Sequence, residues 1–582
     1  MTLAASQNSP ISSSTATTAL QDDDHQEQQH PQQQHPPSQQ QQLPVDGAQP
    51  PEPADMAPSL LSLPLELLLH VSSYLDTPEC GSLRLSCKQV ENALYFTFAR
   101  DNFTKRQHML TESSLQALLD ISESRLAPFV KNLFIGTDLY SSDGLKHITH
   151  LHAHPNLHRG SAGAVRRSKF VAQSSSQEVL LNSGYDMELL TAALGNLSLD
   201  LIGVCDSYYS VRFPGNPVLA PSYGATAIYC DTCIPSRHKS GIEHAHFSSK
   251  CANKLLFAAA RAKIAPKRLQ FRFSQDGLID FAFNIPKFLE KDVARVLSGL
   301  EELKLDLYGN IAVDTTRRAI LHEDDPSEEI YTYHLRRFLA LTPNIRHLRL
   351  NSPVSDDHHD HFLEWLATTP PTSPPQYTCS PDLAPPPPVA FPRLRQLDLG
   401  TLTVTDDELL AIVTKFKRTL KNLSLQKVLL VDDTDEVYNR QNPPPNKWAS
   451  FLEKLCRSGV RLDSIYIKGA EQQNTGVIVA TVSFTSIKNN MAKHQGPDTM
   501  KAIRKFADDA ELHFVLPLAE EGEEHPAFFD EEDDDEDFLD YDDDEGMEFY
   551  GLDPFDEFDD EMDDLFLAGH LTMGGPYDHL MP

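Results

Sequence analysis

A short pattern of aliphatic residues recurs along most of this chain: one aliphatic, two other residues, a second aliphatic, one other, then a third. Val130-x-x-Leu133-x-Ile135 is the first instance and Leu194-x-x-Leu197-x-Leu199 repeats it. Leu269-x-Phe271-x-Phe273 is a looser copy. Four clearer ones begin at Leu300, Ile345, Leu394 and Leu420, and Leu462-x-x-Ile465-x-Ile467 closes the series. The second half of each unit alternates apolar and other residues, as a short strand with one buried face requires. The leading aliphatic lies on the turn into that strand. Helical periodicity precedes most of the strands, over 113–122, 254–263, 288–297, 330–341, 362–367, 408–416 and 448–455. Asp406 and Asp407 are placed to cap one of these helices. Helix, turn and strand at a repeating beat predict a solenoid. The spacing runs from about 26 to over 60 residues, so the repeats are irregular, and a non-repeating α/β domain also scatters such patterns. Three polar stretches, 147–177, 311–329 and 356–388, read as surface insertions. Strands are expected at 477–484 and 512–518, closing the array.

A different pattern precedes the repeats. Leu63-Pro64-Leu65-Glu66-Leu67 opens a helix in which Leu67, Val71 and Leu75 recur every four residues and Leu68 widens the stripe. Pro64 suits a first helical turn, and Glu66 sits where the helix dipole favours an anion. Thr77-Pro78 ends that helix. Leu83, Leu85, Cys87 and Val90 then carry a second apolar segment, with Gly81 delaying its start. Tyr95, Phe96, Phe98 and Phe103 predict a helix packing onto the start of the repeats. A unit of about fifty residues has a marginal core and needs a partner for its remaining apolar surface.

Leu63-Pro64-x-Glu66-Leu67, Tyr74-Leu75 and Leu83-Arg84-Leu85-x-Cys87-Lys88 together resemble an F-box. One departure is Glu79-Cys80-Gly81-Ser82, where that family usually has Asp-Leu and a hydrophobic residue. The resemblance implies a three-helix module that binds the Skp-type adaptor of cullin-RING ubiquitin ligases. Leu63 and Pro64 are carried over from the family's opening motif as adaptor contacts. Leu67, Val71, Leu75, Leu83, Leu85 and Val90 join them from the apolar stripe, with internal core as the other reading for some. The order of segments resembles F-box proteins with degenerate leucine-rich repeats, whose repeat surface usually holds the substrate.

The ends of the chain differ from its middle. Residues 1–57 are rich in Gln, Pro, Ser and Asp and poor in large apolar side chains, so they are expected to be disordered. The net charge of −34 is concentrated: Glu520 to Asp564 holds 26 Asp/Glu and no Lys or Arg, which leaves −8 for the remainder. That balance argues against direct nucleic-acid binding. The acidic stretch also carries Phe538, Tyr541, Phe549, Phe555 and Phe558. It reads either as a partner-binding tail or as a solubilising extension. No signal peptide is expected, because residues 1–30 are mostly polar, and no apolar run is long enough for a bilayer span. A cytoplasmic or nuclear protein with free thiols is expected.

Candidate chemistry is sparse. Cys230-x-x-Cys233, followed by His238, His244, His246 and Cys251, has thiolates at zinc spacing, but no second pair at the usual distance. A hairpin with incidental thiols, and Cys251 in a repeat helix, is the other reading. The histidines at 147–158 and 358–361 lie in stretches where nothing enforces convergence. No nucleophile elbow, phosphate loop or H-E-x-x-H motif is present. The expectation is therefore no catalytic residue, no metal and no cofactor. Arg166-Arg167-Ser168-Lys169 is either an import signal or an ordinary basic loop.

The expected fold class is α/β. A disordered N-terminus (1–57) precedes a three-helix F-box (58–105). An irregular leucine-rich-repeat solenoid (106–518) comes next, with insertions near 145–178 and 354–391, and then an acidic disordered tail (519–582). The expected function is the non-catalytic substrate receptor of an SCF-type ligase, with the adaptor, its cullin-RING assembly and an unknown substrate protein as partners. The alternative is a nuclear regulatory or histone-binding protein working on basic partners through its acidic-aromatic tail. Membranes and nucleic acid are not expected partners.

Overall fold

A computed structural model describes residues 60, 63–75, 77–140, 161–206, 222–224, 241–273, 277–307, 332–352, 362–370, 386–431, 438, 443–474, 479–484 and 491–513. The Gln-rich N-terminus, the acidic tail, the 311–329 and 371–385 stretches and both histidine clusters lie outside them. The chain divides into two units, 1–62 and 63–582. Of the first, only Leu60 is described.

Three helices come first: α1 (Leu65–Ser72), α2 (Thr77–Leu85) and α3 (Lys88–Phe103). Strands and helices then alternate: β1 (Lys105–Met109), α4 (Glu112–Glu123), β2 (Asn132–Gly136), α5 (Ser161–Ser183), α6 (Tyr185–Asn196), β3 (Leu201–Cys205), α7 (Gly241–Ala262), β4 (Arg268–Arg272), α8 (Glu290–Ser298), β5 (Glu302–Asp306), α9 (Tyr333–Ala340), β6 (His347–Asn351), α10 (Phe362–Ala367) and β7 (Gln396–Gly400). The last part is denser: β8 (Thr403–Thr405), α11 (Asp406–Lys415), β9 (Asn422–Gln426), β10 (Leu429–Val431), α12 (Lys447–Arg457), β11 (Ser464–Lys468), β12 (Glu471–Gln473), β13 (Ala480–Phe484), β14 (Met491–Gln495), α13 (Thr499–Asp509) and β15 (Ala510–His513).

The architecture is mixed α/β. Its main sheet has ten strands in the order β1-β2-β3-β4-β5-β6-β7-β9-β11-β14. Every pair is parallel except β11 with β14, which closes the far edge antiparallel. The strands stack without stagger, first residue against first residue: Lys105, Asn132, Leu201, Arg268, Glu302, His347, Gln396, Asn422 and Ser464 form one row. Second and fourth residues therefore face the helices along the whole sheet. Leu133, Ile202, Leu269, Leu303, Leu348, Leu397, Leu423 and Ile465 are all within 2 % of full burial. The leading aliphatic of each unit, such as Leu300, Leu394 or Leu420, seals the turn beneath them.

Several expectations need correction. Leu194-x-x-Leu197-x-Leu199 is not a strand unit. Leu194 lies in the last turn of α6, Leu197 caps it, and the strand is β3, for which Leu199, Ile202 and Val204 supply the pattern. A helix of Asp, Met, Leu and Ala runs directly into the strand, and the overlapping aliphatics fit both periods. The insertion expected near 145–178 is half helix: α5 spans Ser161–Ser183 and buries Phe170 and Gln177, so Arg166, Arg167 and Lys169 are helical rather than in a loop. Gln177 Nε2 donates to the backbone oxygens of Leu110 and Asp138, which anchors α5 to the sheet. Thr405, not Asp406 or Asp407, caps α11. Its Oγ1 accepts from Glu408 N while the Glu408 carboxylate accepts from Thr405 N. Asp406 and Asp407 instead receive the Lys454 ammonium, each at 2.7 Å.

A second, five-stranded sheet was not foreseen. Its order is β15-β13-β12-β10-β8. Three of its strands come after β7, β9 and β11 by way of a single left-handed residue: Thr401 (φ 49°), Lys427 (φ 50°) and Gly469 (φ 59°). Each bend turns three residues out of one sheet into the next, burying Leu402, Val428 and Ala470 at the corner. Of the strands expected at 477–484 and 512–518, β13 covers 480–484 and β15 (Ala510–His513) overlaps the second at 512–513; residues 477–478 and 514–518 lie outside the described residues.

Candidate functional site

The three N-terminal helices share a very small core. Leu68, Val90 and Leu94 are its buried side chains, with Leu69, Leu83, Cys87 and Ala93 packed around them. α1 begins at Leu65 because Pro64, at φ −55° and ψ 151°, precedes it and offers its carbonyl to the amides of Leu67 and Leu68. Pro64 thus stands one place before the first turn. α2 starts at Thr77, with Pro78 in its opening turn, and runs through Gly81 without a late start. The Arg84 guanidinium lies 4.0 Å over the Phe98 ring, locking α2 onto α3.

This packing divides the expected adaptor contacts into two sets. Val90 is 1 % exposed and Leu83 packs against the internal core, so neither serves as a free surface contact. They were grouped with the rest because both stand in one apolar pattern; the three-helix packing turns them inward. Leu67, Val71 and Leu85 are exposed at 50 %, 41 % and 74 %. Leu63 and Leu75 are half-buried, and Pro64 is exposed. The stripe on α1 therefore faces outward, and only Leu68 points into the core. Leu65 and Tyr74, also exposed and apolar, were not among the expected contacts. The Tyr-Leu ending of the motif was the available signal for Tyr74. Its ring meets His70 edge-on at 5.1 Å. Large apolar side chains exposed on so small a module are more than its own core covers.

The module is not tethered by a linker. The Tyr95 hydroxyl donates to the Arg125 carbonyl at 2.7 Å, the Arg125 guanidinium stacks on the Tyr95 ring and pairs with Glu91, and Phe96 and Tyr95 meet Phe129 edge-on. The Thr104 carbonyl accepts from the amides of Lys131 and Asn132. α3 thus runs into β1 as the first helix of the strand array, and the boundary expected at 105/106 falls inside β1.

The face of the main sheet away from the helices carries the first, third and fifth residues of each strand. Its middle is polar: Gln270 donates to Glu302 at 2.7 Å, His347 Nε2 meets the Asp398 carboxylate at 2.6 Å, and Gln396 also donates to Asp398. Lys304 and Arg349 lie buried in the same rows. Toward β1 this face becomes apolar, where Phe134, Leu201 and Cys205 cluster. Burial pushes the Cys205 thiol up to about 12, with Asp206 adding to the effect, so it is inert at neutral pH.

Cys230, Cys233 and His238 of the zinc candidate lie outside the described residues. His244 is buried with Nε2 at 2.9 Å from the Thr137 hydroxyl, His246 stacks on Phe281, and Cys251 is a fully buried core residue of α7. Among the described residues no three His, Cys, Asp or Glu side chains come together as a metal site, the cysteines are free thiols, and no helix is long and apolar enough to cross a membrane.

No curated protein matches the chain. The family model of the F-box domain matches residues 60–94, and F-box domains typically bind Skp-type adaptors and mark the substrate-recognition subunits of SCF ligases. The outward-facing apolar surface on α1 and α2 therefore belongs to an F-box domain at the N-terminal end of an α/β chain.

Proposed function

We propose that this chain is the substrate-recognition subunit of an SCF-type ubiquitin ligase. The observation that carries the reading is the F-box match over an apolar surface, formed by Leu65, Leu67, Val71, Tyr74 and Leu85, that the module's own core leaves exposed. In this reading Leu63 and Pro64 open the adaptor contact and Leu67 and Val71 continue it along α1. The array from β1 to β11 is an irregular leucine-rich-repeat solenoid, supported by unstaggered parallel strands in chain order with helices packed on one side. Its surface presents a substrate protein. The chain contributes position rather than chemistry, and ubiquitin transfer belongs to the other ligase subunits. The direct passage of α3 into β1 suits that role, because a rigid receptor holds its substrate at a set distance from the catalytic subunits.

Co-purification tests this. The full chain, expressed with an Skp-type adaptor and cullin, retains both. A Leu67→Asp, Val71→Asp variant places charges in a desolvated contact and loses at least 90 % of the adaptor. Retention of the adaptor at wild-type level by that variant overturns the reading.

A further inference from the structure

The turns that lead into the strands form a row of their own. Each donates a backbone amide to the carbonyl of the turn before: Asp200 to Lys131, Lys267 to Asp200, Glu301 to Lys267, Arg346 to Glu301, Arg395 to Arg346, Lys421 to Arg395 and Asp463 to Lys421, at 2.7–3.0 Å. The ladder stacks these positions at strand spacing, about 4.8 Å. The turn segments 124–131, 197–200, 263–267, 299–301, 341–346, 391–395, 416–421 and 458–463 contain eleven Lys or Arg against three Asp or Glu. A surplus of eight cations on one edge stands out in a chain of net charge −34.

The distribution along the row matters more than its sum. Glu301 pairs with Arg346 at 3.3 Å and Asp463 with Lys421 at 3.5 Å. Arg346 and Lys421, paired in this way, stand on the rungs either side of Arg395, and exposed Arg393, Lys417 and Arg418 flank the three. Like charges on neighbouring rungs oppose folding, so such a row is stable at least cost with an anion laid along it. The opposite ends of the strands carry both signs, Asp138, Asp206 and Asp306 with Arg272 and Lys468.

We propose that this basic edge is the docking surface of the chain's own acidic segment, residues 520–564. The charges are complementary, 26 carboxylates with no Lys or Arg against the cationic row. The segment begins seven residues after β15. At roughly 3.3 Å per extended residue, its 45 residues span the entire row. Tethering places it at an effective concentration of millimolar order. The inference is independent of the adaptor-binding reading.

Zero-length carbodiimide cross-linking of the full chain tests it, since the reagent joins only carboxylates and amines in contact. At about 50 mM salt, the monomer fraction should join tail carboxylates to Lys417, Lys421, Lys263 and Lys267. The yield should be at least fivefold above that for exposed Lys88 and Lys291. Raising salt to about 0.5 M, where exposed charges are screened beyond a few ångströms, should remove the preference. Lys417→Gln, Arg418→Glu, Lys421→Gln should lower the yield at Lys263 and Lys267 as well, with an unchanged melting temperature. Equal yields at all six lysines overturn the proposal. So does tail cross-linking confined to a dimer fraction, which assigns the edge to a second copy's tail.

Discussion

Val90 and Leu67 stand in one sequence pattern, and the structure assigns them opposite roles that a pair of alanine substitutions separates. Val90 is 1 % exposed in a core with only two other fully buried side chains, Leu68 and Leu94. Val90→Ala removes two methyl groups, about 1.6 kcal/mol of transfer free energy at ~0.8 each. The cavity left behind raises this to about 2–3 kcal/mol. Local opening of α1–α3 should then increase roughly 30- to 150-fold. Leu67 is half exposed, so Leu67→Ala costs the free chain no more than half of about 2.4 kcal/mol. The other half is available only to a partner, and its loss should weaken adaptor binding about 5- to 10-fold. Hydrogen exchange over peptides from Leu65 to Phe103 reads the first quantity, and calorimetric titration with an Skp-type adaptor reads the second. Val90→Ala should move exchange strongly and affinity less than twofold while the module stays mostly folded. Leu67→Ala should do the reverse. An unchanged affinity for Leu67→Ala, or destabilisation by Val90→Ala of less than about 0.5 kcal/mol, refutes the division of the two sets.

Three further outcomes are expected. Gly203→Ala would set a Cβ 2.4 Å from the Gln270 carbonyl oxygen and 2.7 Å from Phe134 Cε1. Because a neighbouring backbone must move, a loss of about 1–3 kcal/mol or more should show as a lowered melting temperature, and a wild-type melt contradicts the packing. Thr405→Ala opens the capping box of α11 and should cost about 1 kcal/mol, seen as faster exchange of its first-turn amides; Glu408→Ala should cost less, since the Thr405 side chain still caps. His108 is fully buried, its Nδ1 donating to the Ser114 carbonyl, and burial together with nearby Arg106 holds its pKa at about 3 against the usual 6.5. Only the unfolded chain takes up this proton, so His108 contributes full stability above pH 6.5 and loses it as pH falls from there toward 3. About 2 kcal/mol should disappear between roughly pH 7.5 and 5 in denaturant melts, and His108→Gln should remove that part of the slope.

How much of this was legible in the residues depends on the range of the interaction that carries it. Alternation in Leu303-x-Leu305, Leu348-x-Leu350 or Leu397-x-Leu399 is a local consequence of pleating, and strands β5, β6 and β7 lie where it places them. The helices before them were equally readable, because an amphipathic stripe is a property of neighbouring turns. The F-box motif carried the identity of the first module, since its Leu-Pro opening and Leu-Arg-x-x-Cys-Lys segment fix order and spacing together.

Tertiary structure decided the rest. Nothing in the α1 stripe says that Leu68 faces the core while Leu67 and Val71 face outward; that choice is made by α3, which supplies Val90 and Leu94. The bends at Thr401, Lys427 and Gly469 were hidden because a three-residue strand holds too little of the two-residue alternation to stand out, and two of the bends use residues for which a positive φ is unfavourable alone. Asp406 is the first residue of α11 rather than its cap, and its carboxylate pairs with Lys454, 48 residues later. The row of Arg346, Arg395 and Lys421 is dispersed in the sequence, and only unstaggered parallel pairing brings its charges onto adjacent rungs. The chain by itself determined which segments become helix and strand, because local periodicity is enough for that. Which side chains those segments leave for partners was settled by packing between segments distant in sequence, where burial and charge are shared among residues that no local window contains.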